Sequence, residues 1–251
     1  MIDSQETSPL FYRNNFNIID MIKTSYHYTK GFKATIWIIA IIWGILLLTK
    51  FQVTGLFFPD QDLTSEQFQQ FYKIIGLISI PITAPLGAGI SMTIISYLRG
   101  ITVSYTFIFN YYNIIWKLSL ASLFIHMLNY SINFAITSIG NYLQLEWLTF
   151  LSTILSISIA MIYMFTLPLI ADKELKIWDA MELSRKAVFS HFFSIFILYI
   201  LLVIIMAISA IPLGIGMIWT IPMVLITFYG LLYRVIFDGV SYDIEEKIIA
   251  Q

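Results

Sequence analysis

One apolar stretch of the sequence carries polar side chains at steps of three and four residues, namely Ser119, Ser122, His126, Asn129, Asn133 and Thr137. In a helix this spacing places them on one face. An imidazole beside two amides can relay a proton or contact a polar solute, because histidine takes up and releases protons near neutral pH. The same groups can also bond one helix to another. The pattern therefore predicts either a polar pathway or an interhelical network through His126, Asn129 and Asn133.

A second candidate site combines prolines with glycines in the segment IPITAPLGAGIS, at positions Pro81, Pro85, Gly87 and Gly89. Proline has no backbone N–H, so two prolines four residues apart interrupt the hydrogen-bond ladder of a helix. Broken helices at membrane depth line the binding sites of transporters, where freed carbonyl groups meet the solute. Kinked helices also serve plain packing. The segment is a candidate broken-helix site, and both interpretations stay open.

Residue patterns typical of enzymes and metal sites are missing from the sequence. It contains no cysteine and no HExxH, GxSxG or Walker motif, which removes the usual parts for intramembrane proteolysis, acyl transfer and nucleotide hydrolysis. Asp60, Asp62 and Glu66 are close together, but their spacing does not fit an EF-hand. The sequence therefore predicts no enzymatic activity, no metal site and no cofactor.

The composition is that of a membrane protein. Hydrophobic residues make up 59% of the 251 residues and charged residues only 12%, whereas an average soluble domain has roughly 45–50% and 25%. A soluble chain could not cover that much apolar surface. The net charge of −1 gives no indication of nucleic-acid binding. We therefore expect a single membrane domain, with the lipid bilayer as its main partner.

Six uncharged runs approach the roughly 20 residues that a helix needs to cross the hydrocarbon core. The predicted spans are 34–49, 74–98, 114–139, 147–171, 192–211 and 215–233. The first run is short and is bracketed by Lys33 and Lys50, whose long side chains can reach the two interfaces. The predicted fold class is an all-α integral membrane protein, a bundle of six transmembrane helices.

The basic residues predict the orientation of this bundle. With six spans, twelve of the 14 lysines and arginines fall on one side, and only Lys50 and Lys73 fall on the other. Short cytoplasmic loops accumulate lysine and arginine. We therefore expect a multi-pass protein of a bacterial inner (plasma) membrane, with the N-terminus and C-terminus cytoplasmic and the acidic loop near Asp60 external.

Two further segments, about 16–30 and 174–189, have the pattern of amphipathic helices. In the first, Ile18, Ile22 and Tyr26 lie opposite the polar residues Asp20, Lys23, His27 and Lys30. In the second, the apolar face holds Ile177, Met181, Ser184 and Val188, and the polar face holds Asp179, Glu182 and Lys186. Such helices lie in the headgroup plane. We expect both at the cytoplasmic interface, where a lipid or protein partner can bind.

The two amphipathic segments align without gaps. Ile18, Asp20 and Ser25 then match Ile177, Asp179 and Ser184. APLGAG at positions 84–89 is also echoed by IPLGIG at positions 211–216. These matches favour an internal duplication of an amphipathic helix followed by a span, although apolar sequence produces short matches readily.

The C-terminal half, from Leu167 to Gly239, resembles a group of uncharacterised bacterial multi-spanning inner-membrane proteins. These are similar to the membrane domain attached to some glycerophosphodiester phosphodiesterases. The shared features are Pro168 at the end of a span, a cytoplasmic helix with Ala180, Ser184 and Lys186, a glycine turn at Gly214 and Gly216, Pro222 early in the last span, and Tyr233 with Arg234 at its end. The resemblance implies a six-span membrane fold. It covers only a membrane domain, so it implies no phosphodiesterase activity.

Two functions from different classes fit these features. The first is a non-enzymatic membrane protein with a role in envelope homeostasis or partner assembly, acting through its bundle and its cytoplasmic helices. The alternative is a small-solute or ion transporter that uses the kinked second span and the polar face of the third. A hydrophilic cavity reaching His126 would distinguish them. The sequence specifies neither a substrate nor an oligomeric state.

Overall fold

The computed structural model describes residues 17–57, 66–211 and 216–240. Within these ranges the chain forms helices and contains no strand. The elements are α1 (Ile18–Phe57), α2 (Glu66–Ile78), α3 (Ile80–Leu98), a 3-10 segment (Tyr105–Ile114), α4 (Ile115–Leu143), α5 (Trp147–Ile162), α6 (Thr166–Lys173), α7 (Ile177–Ser190), α8 (Phe192–Ala210) and α9 (Met217–Phe237). The last of these contains a π-helical turn, Ile226–Leu231.

Six helical stretches in the described part of the chain are long and apolar enough to cross a membrane, at Thr35–Phe57, Ile80–Leu98, Tyr105–Leu143, Trp147–Lys173, Phe192–Ala210 and Met217–Phe237. A helix satisfies its backbone N–H and C=O groups internally, which is why helices can cross hydrocarbon. The predicted all-α fold with six candidate transmembrane helices is therefore confirmed.

The first span differs from its predicted bounds. The predicted interfacial helix 16–30 and the predicted span 34–49 form one continuous helix, α1. The helix also runs through Lys50, which we had expected to mark the membrane boundary, and ends at Phe57. No proline interrupts this stretch, and lysine is a good helix former, so charge alone does not end the helix.

Two other predicted spans are each interrupted once, the second span directly before its predicted proline segment and the fourth span without such a signal in the sequence. The predicted span 74–98 is divided at Ser79, between α2 and α3. The predicted span 147–171 is interrupted between Ile162 and Thr166, the end of α5 and the start of α6. The acidic loop residues Asp60 and Asp62, the turn at Gly214 and both chain ends lie outside the described residues.

The chain divides into two compact units. The terminal unit contains the described parts of Met1–Lys33, Ser91–Val103 and Glu182–Gln251. The central unit contains the described parts of Ala34–Ile90 and Ser104–Met181. Both units draw on α1 and α3, because each of these helices passes from one unit to the other.

The core of the central unit brings together α1, α3 and the 3-10 segment. Ile39, Leu86 and Ile108 are buried in one cluster. Partly buried apolar side chains pack around it, namely Ile42, Leu46, Ile90 and Tyr112. Ile108 therefore anchors the 3-10 segment to this core, while Tyr105 and Phe109 of the same segment are exposed.

In the terminal unit, Tyr97 of α3 packs against the N-terminal part of α1. Its ring stacks on Phe32 with centroids 4.1 Å apart, and its hydroxyl donates to the carbonyl of Tyr28 at 3.2 Å. Gly230 in α9 also lies against this end of α3, since an added Cβ would come within 2.8 Å of Ile94 Cγ2. These contacts fix the C-terminal end of α3 between α1 and α9.

In the N-terminal part of α1, the face that packs inside the protein is not the predicted apolar face, whose contact with a bilayer stays a prediction. Tyr26, expected on the apolar face, is 54% exposed. The buried residues are instead Met21, Thr24, Ser25, Thr29 and Phe32. The three hydroxyls can be buried because they donate to carbonyls of their own helix, at 2.7 Å from Thr24, 2.8 Å from Ser25 and 2.7 Å from Thr29.

Helix α7 buries residues at matching positions. When the two segments are aligned so that Ser25 matches Ser184, the buried residues of α1 correspond to five residues of the second segment that are also buried. These are Ala180, Leu183, Ser184, Val188 and His191. On the opposite face, Arg185 and Lys186 form ion pairs with Glu182 at 2.7 and 3.3 Å. The hydrogen bonds from Arg185, followed by those from Lys186, hold the pKa of Glu182 below its usual value.

Candidate functional site

Helices α4 and α5 of the central unit form a tight hairpin. Gln144, the residue after α4, adopts a left-handed conformation with φ of 55°, and α5 begins at Trp147. Gly140 lets the helices approach closely near this turn, because an added Cβ would lie 3.1 Å from Leu148 Cβ and 3.3 Å from the carbonyl oxygen of Leu145.

An amide and hydroxyl network holds this hairpin together farther from the turn. Asn133 Nδ2 on α4 lies 2.6 Å from Ser156 Oγ on α5 and 2.7 Å from Asn129 Oδ1. Asn129 Nδ2 donates to the carbonyl of Ser156 at 3.3 Å. Ser156 Oγ in turn donates to the carbonyl of Ser152 at 2.9 Å. Both amides therefore bond α4 to α5.

His126 lies on the same helix but outside this network. Its Nδ1 is 2.8 Å from the carbonyl oxygen of Ser122, one turn earlier in α4. A carbonyl can only accept, so Nδ1 carries the hydrogen and Nε2 of the neutral ring is left as an acceptor. The side chain is exposed. An acceptor therefore faces outward in the middle of the candidate span Tyr105–Leu143.

The surface around His126 is otherwise apolar and aromatic. Met127, Tyr130 and Phe134 are 57%, 60% and 62% exposed, and the rings of Tyr130 and Phe134 stack with centroids 6.3 Å apart. We refer to His126, Met127, Tyr130 and Phe134 as the outer face of α4. Of the three predicted residues, the structure joins Asn129 and Asn133 through Ser156 and places His126 on this face.

The predicted broken-helix site has its interruption at Ser79. Pro81 then lies in the first turn of α3 and Pro85 inside it, where each removes a backbone donor. Two hydroxyls bond to carbonyls beside the interruption: Ser79 Oγ donates to the carbonyl of Gly76 at 2.8 Å, and Thr83 Oγ1 donates to the carbonyl of Ser79 at 3.1 Å. A binding role for this segment stays a prediction.

The two glycines of this segment differ in their surroundings. A Cβ added at Gly89 would lie 2.7 Å from the carbonyl carbon and 2.8 Å from the Cα of Ile108. A Cβ at Gly87 would meet only Leu167 Cδ1, at 3.9 Å. Nearby, the Tyr112 hydroxyl donates to the carbonyl of Ile82 at 2.9 Å. Gly89 is thus the point where α3 touches the backbone of the 3-10 segment.

The first candidate span contains an ionisable residue that we had expected at its boundary. Lys50 lies within the candidate span Thr35–Phe57, and its Nζ is 3.7 Å from the ring centroid of Tyr72 on α2. Gly76 makes room for the ammonium, because a Cβ there would be 2.9 Å from Nζ. Cation–π contacts of this kind are attractive where water is scarce. In the sequence, the only indication of this contact was the spacing of Tyr72 and Gly76, which lie one helical turn apart.

Comparison with known proteins gives no relative. No protein-family model matches the chain, and neither curated proteins nor solved structures give a match.

The amide network predicts different outcomes for two serines of α5. Ser156→Ala removes the acceptor of Asn133 and should cost about 1 kcal/mol, the order measured for hydrogen bonds between membrane helices. Ser158→Ala is the matched control, because Ser158 Oγ bonds only within α5, to the carbonyl of Ile154 at 2.9 Å. Thermal unfolding in detergent should show a lower Tm for the first variant alone. Equal Tm values would contradict a structural role for the network.

The close approach at Gly89 predicts a second pair of outcomes. Gly89→Ala forces a methyl group into the backbone of Ile108, which cannot rotate aside, so we expect a loss of about 1–3 kcal/mol. Gly87→Ala should be neutral or stabilising by up to about 1 kcal/mol, because alanine favours helix over glycine. Chemical or thermal unfolding of both purified variants measures the difference. Similar stabilities would show that the contact of α3 with the 3-10 segment is not tight.

Proposed function

We propose that the chain is a non-enzymatic multi-pass protein of a bacterial inner membrane that assembles with a partner membrane protein through the outer face of α4. Envelope homeostasis is the process that such an assembly would serve. The observation that supports the proposal is the exposed acceptor Nε2 of His126 in the middle of a candidate span. The partner we infer is a transmembrane helix that brings a hydroxyl or amide donor to this acceptor.

An exposed imidazole within a span is costly. Lipid chains offer no hydrogen-bond donor, and a polar group without a partner in such surroundings costs roughly 1–3 kcal/mol. Polar side chains at membrane depth usually face other protein. A helix packed over His126 would also cover the stacked Tyr130 and Phe134 rings, which adds apolar contact to the hydrogen bond.

The transporter alternative draws on the same helices. Its strongest support is the interruption at Ser79, followed by Pro81 and Pro85. Its candidate pathway through α4 is less favoured, because the amide groups there already have partners within the protein. Asn129 and Asn133 both donate to Ser156, and Asn133 also donates to Asn129. A solute would have to displace these bonds, whereas a partner helix at His126 leaves them intact.

We further propose that both termini are cytoplasmic and that α7 and the start of α1 lie at the cytoplasmic interface. The support is the distribution of charge, with twelve of the 14 basic residues on one side. In α7, the buried Met181 and Val188 and the exposed Asp179 and Lys186 are compatible with a helix at an interface.

In-cell cross-linking tests the partner surface. A photoreactive residue at position 130 should give a discrete protein adduct, and His126→Leu should abolish that adduct without changing the Tm. Position 204 is the control, because Ile204 is 48% exposed on the apolar helix α8 and should give lipid adducts only. Lipid adducts alone at position 130, or an adduct that survives His126→Leu, would refute the proposal. An adduct with the mass of two copies would make the partner a second copy of this chain.

A flux measurement on the same variant separates the two functions. If α4 lines a pathway, His126→Leu should abolish a pH-dependent proton or solute flux in liposomes while the protein stays folded, because histidine exchanges protons near neutral pH. Under our proposal the liposomes show no flux that depends on His126. A stable variant that has lost transport would replace our proposal with the alternative.

The orientation predicts the behaviour of reporter fusions. A reporter that is active only outside the cytoplasm should be inactive when fused after Gln251 and active when inserted near Asp60. An even number of spans places both chain ends on the same side, so an active fusion at Gln251 would overturn either the count of six or the orientation.

A further inference from the structure

The part of α1 near its C-terminal end packs against α2 within the central unit. Phe51 lies edge-on to the buried Phe68, with ring centroids 6.1 Å apart. One residue earlier on α1, Lys50 lies over Tyr72, with Nζ 3.7 Å from the ring centroid. Lys50 is the only charged residue in the part of α1 that belongs to this unit. The packing of the two helices therefore fixes the position of a single ammonium group.

Two contacts hold this ammonium, and neither of them neutralises its charge. The ring of Tyr72 covers one side, and Gly76 borders it, because a Cβ there would lie 2.9 Å from Nζ. Lysine has three N–H donors, and within the described part of the chain they have no hydrogen-bond acceptor and no carboxylate partner. The one acidic residue of α2, Glu66, lies ten positions before Gly76, which is about 15 Å along a helix axis. The contacts therefore orient the charge without balancing it.

The bounds of the candidate spans place this ammonium where hydrocarbon gives way to headgroups. The backbone of Lys50 is inside the span Thr35–Phe57, seven residues from its end. The ammonium, however, lies beside Gly76, four residues before the span Ile80–Leu98 begins. Long lysine side chains reach the interface in this way from a backbone position inside a span. The anion that balances the charge is therefore one found at headgroup depth.

Lys73 adds a second ammonium to the same side of α2. It lies three residues before Gly76, and residues at this spacing are neighbours on a helix surface. Its side chain is exposed, and no ion pair engages it among the residues that the structure describes. Lipid phosphates surround the protein at this depth and attract lysine, which binds a phosphate as a point charge. Two lysines beside one tyrosine ring thus form a basic site that suits a phosphate group.

We propose that Lys50, with Lys73 beside it, binds the phosphate group of an anionic lipid. Tyr72 is the positioning residue, because its ring holds the ammonium of Lys50 at headgroup depth. Leu77 and Ile78 follow Gly76 towards the span and are 46% and 68% exposed, so they give the acyl chains an apolar surface. The site is separate from the outer face of α4, since no residue of α4 takes part in it.

Native mass spectrometry of the purified full chain tests the site, with phosphatidylglycerol as the probe and phosphatidylcholine as the zwitterionic control. The wild type should retain phosphatidylglycerol in preference, and equal retention of the two lipids would overturn the proposal. Lys50→Gln should weaken the retention of phosphatidylglycerol about fivefold or more, which corresponds to about 1 kcal/mol, the contribution of one lysine near an anionic surface. Lys117→Gln is the matched control, because Lys117 is an exposed lysine of the same unit that no ring orients in the described residues, and it should behave as the wild type.

Two substitutions of Tyr72 separate an oriented site from general attraction by surface charge. Tyr72→Leu removes the ring but keeps both lysines, so it should weaken the retention of phosphatidylglycerol about twofold or more. Tyr72→Phe should behave as the wild type, because a cation–π contact uses the face of the ring and not the hydroxyl. If Tyr72→Leu retains the lipid as the wild type does, or if Lys117→Gln loses as much as Lys50→Gln, then Lys50 acts only as one charge among others and the proposal is wrong.

Lys73→Gln covers the case in which the variants at positions 50 and 72 fail to fold. Because the side chain of Lys73 is exposed, this substitution should leave the Tm unchanged and still weaken the retention of phosphatidylglycerol about twofold or more. Unchanged retention in Lys73→Gln would remove the second lysine from the site and overturn the proposal as stated.

Glycerol phosphate distinguishes a lipid site from a site for soluble phosphate compounds. Added in excess, it should displace phosphatidylglycerol only weakly, because it has the charged group but no acyl chains to lie on Leu77 and Ile78. If glycerol phosphate raises the Tm of the wild type as much as phosphatidylglycerol does, and Lys50→Gln removes both effects, the ligand is a soluble phosphate compound and the lipid proposal is wrong.

Discussion

The absence of water inside the bilayer is the constraint on which the rest of this structure depends. A hydroxyl within a span is costly to bury without an acceptor on the protein, and many hydroxyls of the described spans find one on their own helix, three or four residues back, although the buried hydroxyls of Ser119 and Thr166 have none. Thr54, Thr83, Ser152, Ser209 and Thr227 all donate in this way. Such a hydroxyl needs nothing from a neighbouring helix, so Thr227 can be completely buried among apolar side chains. Polar sequence inside a span is therefore a poor sign of a pathway.

Amides and charges cannot be satisfied so locally, and they set the long-range contacts. Neutral amides lie deep in the hairpin of α4 and α5, where Asn133 meets Ser156. Full charges lie at the ends of spans, where Arg99 meets Asp238. This division follows the cost of each group in hydrocarbon, which is modest for an amide and large for an ion. Lys50 departs from it, and there the ring of Tyr72 takes the place of a carboxylate.

Much of the fold could be predicted from the sequence because apolar runs near the length of a span are visible in it. Helix bounds were less predictable, since Lys50 was taken as a boundary and α1 passes through it. At the candidate site, the shared face of Asn129 and Asn133 followed from helical spacing, but Ser156 as their partner depends on how α5 packs. Nothing local to Arg99 indicates Asp238, because the pair forms only once α3 and α9 end side by side. The tight contact of Gly89 with Ile108 is likewise a property of packing.

The π-helical turn Ile226–Leu231 changes the directions in which the side chains of α9 point before and after it. Its closing bond runs from the N–H of Leu232 to the carbonyl of Thr227, five residues back instead of four. One extra residue in a helix rotates everything after it by about 100°. The residues before the turn and those after it, including Arg234 and Asp238, therefore follow two separate registers. A single inserted codon is enough to create such a turn, so the charged end of α9 could be re-aimed in one evolutionary step while the apolar face ahead of it kept its packing.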